Sequence, residues 1–235
     1  MEPIFRVDGN RVVTSPDAAG PWHPQMQHGS APASLVVWAA EAIPTPVPMR
    51  LARVTVDLMR PVPIAPLTVE TEILREGRKI QLCAVRLRAD GVIVAAASLL
   101  RIRSHAVELP SEIGDPPLAL PGPEQSAIQP ADYAHSPFTK YISMRAAHGR
   151  FGRVGSAAIW FRIDHPLIAG AAVSQAMRAV VAAALAAATI VLTTIPLMIA
   201  LIASLLPASP APADRRAIRS CLRRADRPDS RSPCA

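Results

Sequence analysis

The run Ala31-Pro-Ala-Ser-Leu-Val-Val-Trp-Ala-Ala-Glu-Ala42 restricts the fold of this 235-residue chain more than any other stretch. Pro32 falls in a first helical turn, where a missing N–H costs nothing, and Ser30 stands where a hydroxyl can cap that turn. Pro44, Pro46 and Pro48 end the helix. Apart from Glu41, which reads as a solvated side chain at the far end, the run is apolar on every side. Such a helix cannot lie on a surface, so other elements must cover it all round.

The flanking sequence supplies strands to do so. Ile4–Val7 and Arg11–Thr14 alternate around Asp8-Gly9-Asn10, a hairpin signal. After the helix, Leu51–Met59 alternates Leu51, Val54, Val56 and Leu58 against Arg53, Thr55 and Asp57, and Leu67–Leu74 alternates as well. Arg75-Glu-Gly-Arg78 turns the chain into Lys79–Arg88, whose apolar positions change parity and predict a bulge near Cys83. Asp90-Gly91 turns it again into Val92–Arg103. A hairpin, one buried helix and a meander of long strands give an α+β fold, one antiparallel sheet wrapped around one central helix.

Composition narrows the function classes. Of the formal charge of +7, the segment 207–235 carries +4, from seven arginines and three aspartates. No basic stripe interleaved with aromatics remains in the body, so no nucleic-acid partner is expected. His23, His105, His135, His148 and His165 have no ligand spacing, and neither a metal nor a cofactor is implied. Cys83, Cys221 and Cys234 form no CxxC, and no secretory signal opens the chain, which fits a reducing cytoplasm. Cys83 reads as a small buried hydrophobe.

The ordered set Gly20-Pro-Trp22, His28-Gly29 before a helix, Arg53–Pro63 (RVTVDLMRPVP) and Arg75–Gln81 (REGRKIQ) resembles the double-hotdog acyl-CoA thioesterases, the acyl-CoA thioesterase II-like proteins. The resemblance covers residues 4–105, with a fainter echo over 140–182. It implies a complete N-terminal hotdog over 1–105, an acyl-CoA or related acyl thioester as ligand, and hotdog pairing into a homo-oligomer. Backbone N–H groups at a helix start are free donors bearing partial positive charge. His28, Gly29 and Ser30 are therefore the candidate substrate-binding residues, able to receive a thioester oxygen. The same residues read equally as the turn that starts the core helix.

The pattern breaks further on. The proline-rich stretch 106–139 reads as a linker, and 140–188 as a partial second hotdog with a strand over Val154–Ile163 and a helix capped by Ser174. In the family, that second helix carries a catalytic Asp. Here no Asp or Glu occurs between Asp164 and Asp214, so no catalytic residue can be assigned and impaired hydrolysis is expected. Residues 189–206 read as an apolar helix and 207–235 as a disordered basic tail. The uncharged stretch 179–206 leaves three readings open. One is a frameshift near codons 183–188 that truncates the second hotdog and would leave a nonfunctional remnant; another is a membrane anchor, which would tether a non-catalytic binding module; the third is a helix packed on the sheet or on a partner.

Overall fold

In the computed structural model, residues 1–106, 108, 119–128, 136–153, 155–192 and 199–201 are described. Met1–Ser104 and Leu120–Leu205 form one compact unit, and the second unit, His105–Ala119 with Leu206–Ala235, lies almost wholly outside the described residues. The tail expected to be disordered, 207–235, lies outside them too.

The first hairpin pairs β1 (Phe5–Asp8) with β2 (Arg11–Thr14) in antiparallel register. After it comes the central helix α1 (Ser30–Ala42), then β3 (Met49–Leu58), β4 (Leu67–Glu76), β5 (Ile80–Ala89) and β6 (Val92–Arg103). They form a six-stranded antiparallel sheet in the order β1-β2-β4-β5-β6-β3. At the tip of β5 and β6, Asp90 and Gly91 both have positive φ, 48° and 77°, which a two-residue hairpin with strand-matched twist requires. The core is formed by Leu35, Val36 and Val37 of α1 against Cys83, Val85, Leu87, Val94 and Leu99 of the sheet, all at most 4% exposed. Helix α1 is thus enclosed, as its apolar circumference demands.

Two local expectations are corrected. Ser30 is not the N-cap of α1; Gly29 is, in helical conformation, and no side chain caps the helix. Ser30 lies within the first turn, where its hydroxyl donates instead to Val181 O at 3.1 Å. The bulge near Cys83 belongs to the neighbouring strand: Ile73 pairs with Cys83 and Arg75 with Leu82, so Leu74 is the extra residue, in β4. Along β5 the odd positions Gln81, Cys83, Val85, Leu87 and Ala89 are all buried, with no change of parity. Gln81 is polar yet faces inward, and that produced the false signal. Cys83 is buried, and its thiol lies 3.6 Å from Leu99 O.

The remainder of this unit forms a second sheet of β7 (Ala127–Ile128), β8 (Ile142–His148), β9 (Ala157–Ile163) and β10 (Ile199–Leu201), in the order β10-β9-β8-β7. Phe5 N–H donates to Leu167 O at 2.9 Å, and Ala169 N–H to Phe5 O at 2.8 Å, which ties this part to the edge of β1. Helix α2 (Gln175–Leu192) packs on α1. Ser174 does cap it, its hydroxyl accepting from Met177 N–H at 3.1 Å. Within the stretch expected as one apolar helix, 189–206, α2 runs to Leu192, and Ile199–Leu201 is a strand parallel to β9. Phe138, inside the expected linker, is fully buried.

Candidate functional site

The turn before α1 is held by its own backbone. His28 N–H donates to Ala18 O at 2.7 Å, and the His28 ring is sandwiched between Trp22, 5.5 Å away, and Phe138, 5.0 Å away and nearly parallel. Only 3% of His28 is exposed, and burial lowers its pKa from 6.5 to about 4. The neutral ring accepts the Ser30 N–H on Nδ1 at 3.2 Å, which puts the ring proton on Nε2. His28 therefore stiffens the turn and occupies one of the two backbone donors that begin the helix.

The other donor stays free. Gly29 N–H has no hydrogen-bond partner among the described residues, and Gly29 borders a cleft of about 740 Å³. A Cβ on Gly29 would lie 3.4 Å from Leu58 Cδ1, so the backbone approaches the inner face of β3 closely here. The cleft runs between the first turn of α1, Val54, Val56 and Leu58 of β3, and Val180, Ala183, Ala184 and Ala187 of α2. Met177, Val181 and Leu185, four residues apart, are the buried ridge of α2. The alanines beside them keep α2 slim, which opens the cleft against β3.

A second cleft of about 760 Å³ shares Val54, Val180 and Ala183 with the first and continues it along β3 to Arg50, Arg53, Glu41 and Gln175. The ionisable side chains bordering the pair, among the described residues, are Glu41, Arg50, Arg53 and Arg60. No carboxylate borders the cleft at Gly29. Such a groove can accept an elongated, mainly apolar ligand and hydrogen-bond one carbonyl oxygen at a helix N-terminus, where the dipole favours developing negative charge.

Of the three residues singled out from the sequence, only Gly29 reaches the groove; His28 and Ser30 are buried behind it. Nothing in the sequence pointed to Gln27 or Phe138. Gln27 donates from Nε2 to Pro63 O at 2.8 Å, holding the loop after β3, while its buried Oε1 has no partner among the described residues. Phe138 comes from more than a hundred residues away, and only tertiary structure brings it to His28. Among the described residues, no three metal-ligating side chains lie together, and no helix is long and apolar enough to cross a membrane, which says nothing of a β-barrel. Part of the uncharged stretch 179–206 lies outside those residues.

Residues 18–102 match the family model of the acyl-CoA thioesterase N-terminal domain. No curated protein matches the chain. A hotdog-fold protein of unknown function from Alicyclobacillus acidocaldarius is 19% identical, with a TM-score of 0.51 over 64% of this chain and 55% of its own. A candidate thioesterase from Novosphingobium aromaticivorans is 24% identical, with a TM-score of 0.53 over 80% of this chain and 76% of its own. The chain spans about half the length of the Alicyclobacillus protein. At these identities the structural likeness establishes the fold, and the sequence match is confined to the first module. Residues 18–102 thus resemble an acyl-CoA thioesterase N-terminal domain, and the chain that carries them has a hotdog fold.

Proposed function

We propose that the chain binds an acyl-CoA thioester in the groove between β3 and α2, with the thioester oxygen on Gly29 N–H. The observation that carries this reading is the unpartnered Gly29 donor, at the N-terminus of a buried helix and on the wall of an apolar cleft. Hydrolysis by this chain is slow. Attack by water needs a general base worth roughly 10²–10⁴ in rate, and α2 has no acidic residue to act as one.

Gly29 itself provides the test. Its φ of −55° suits proline and alanine alike. Gly29→Pro deletes the donor, whereas Gly29→Ala keeps it and adds a methyl at ordinary contact distance from Leu58. Binding of dodecanoyl-CoA, measured by calorimetry, is expected in the wild type and in Gly29→Ala, and weakened at least fivefold in Gly29→Pro. Thiol release is expected to be barely above background in all three. Equal affinity in the alanine and proline variants would remove Gly29 N–H from the site, and rapid thiol release by the wild type would overturn the impaired-hydrolysis reading.

We also infer that two copies pair through β3. This ten-residue strand ends the sheet, with β6 on one side and no strand on the other among the described residues. An open edge that long is a ready template for a second chain.

A further inference from the structure

The outward face of the six-stranded sheet has two unlike halves. Cys83 and Leu99 are fully buried and pair with each other, so the pairs on either side, Leu82 with Leu100 and Ala84 with Ser98, point outward. Toward the Asp90-Gly91 turn, the outward arginines are neutralised: Arg86 bonds Glu72 at 2.9 Å and Arg88 bonds Glu70 at 2.7 Å. Toward the other end, two outward rows read Arg53-Leu100-Leu82-Arg75 and Arg50-Ile102-Ile80 across the strands. Arg78 and Lys79, in the turn before Ile80, adjoin them. Ile102 and Leu74, the extra residue next to Arg75, are 43% and 49% exposed. The five cations are exposed, and none of their side chains makes a hydrogen bond or an ion pair with any described residue. No carboxylate falls in either row.

We infer that this half of the outward face docks on an anionic lipid surface. Leu74, Ile80, Leu82, Leu100 and Ile102 seat among the headgroups, and Arg50, Arg53, Arg75, Arg78 and Lys79 meet lipid phosphates around them. Charge complementarity selects this occupant. A second copy laid face to face would set these cations against their own kind, with no carboxylate between them. Nucleic acid would find no aromatic side chain in either row on which a base could stack. An anionic lipid surface offers acidic headgroups to the cations and hydrocarbon to the aliphatic side chains. Arginine and lysine suit that boundary, because their stems lie along apolar surface while their heads reach the phosphates. The groove residues Val54, Val56 and Leu58 are on the opposite face of β3, so the inference is independent of the acyl-CoA reading.

The test is sedimentation of the full chain with vesicles of phosphatidylcholine, alone or mixed with phosphatidylglycerol. It compares the wild type with Arg50→Gln/Arg53→Gln/Arg75→Gln and with Leu74→Ser/Ile102→Ser. All five side chains are exposed, so the core is untouched; equal thermal midpoints check this. The wild type is expected to sediment with the anionic vesicles alone, and less so as salt rises. At about fivefold per cation, the triple variant is expected to bind on the order of a hundredfold more weakly. The serine variant is expected to bind about tenfold more weakly, with its salt dependence kept. Wild type left in the supernatant by anionic vesicles would overturn the proposal. So would a triple variant that binds as the wild type does, which would move the attraction to the arginines of 207–235. A serine variant that keeps its vesicle binding but no longer self-associates in light scattering would overturn it too, by assigning the face to a second copy.

Discussion

His28 shows how burial sets the chemistry of one side chain in this fold. Stacked between Trp22 and Phe138 and hydrogen-bonded to Ser30 N–H, it remains neutral down to about pH 4, whereas an unfolded chain would protonate it near 6.5. Its folded pKa is depressed, so the unfolded state binds more protons between those values. The stability tied to His28 is complete above pH 6.5 and is lost as pH falls toward 4, to the extent of about 3 kcal/mol. Urea denaturation at pH 7 and pH 4.5 is expected to show a steeper loss for the wild type than for His28→Gln. Equal losses would place the acid-sensitive proton uptake elsewhere. Gly29 depends on the same arrangement, since His28 Nδ1 engages the Ser30 donor and leaves Gly29 as the one that faces the cleft. The sequence made the His28-Gly29-Ser30 turn visible, but not which of the two donors was already taken, because a bond between neighbouring residues depends on a ring orientation that Phe138 sets.

Among the elements, the far end of α1 is held by a side chain from another strand. Arg101 of β6, 4% exposed, donates to Ala40 O, to Ile43 O at 2.7 Å and to Gln81 Oε1 at 2.9 Å. Gln81 Nε2 in turn donates to Pro44 O and to Glu76 Oε1, both at 2.9 Å. Proline-broken helix ends leave carbonyls without partners, and here a guanidinium on the sheet satisfies them. Arg101→Met should cost about 2 kcal/mol in a urea titration, since it leaves buried acceptors unpaired while filling the same space. A loss under about 0.5 kcal/mol would mean that water replaces the guanidinium there. This device also explains what was legible. Strands and turns of the first module could be read from alternation and Asp-Gly pairs, because those signals are local. The inward Gln81 broke the alternation and shifted the expected bulge from β4 to β5, since its partner Arg101 lies twenty residues away.

At the scale of the whole molecule, one sheet enclosing one helix was legible because an all-apolar helix leaves no other solution. The second sheet was not. Its β7 and β10 are only two and three residues long, and β10 pairs in parallel with β9, across the whole of α2. This second sheet attaches at the β1 end of the first, through Phe5, and among the described residues no strand lies beyond β3. The proposed self-association through β3 rests on that placement. Light scattering with size exclusion should report a dimer at micromolar concentration that dissociates on dilution. Thr55→Lys, on the outward face of β3, brings like charges near the join and should move the protein toward monomer, while the fold, monitored by circular dichroism, stays unchanged. A wild-type chain that is monomeric at every concentration, or a lysine variant that dimerises as the wild type does, would mean that this edge is not the interface.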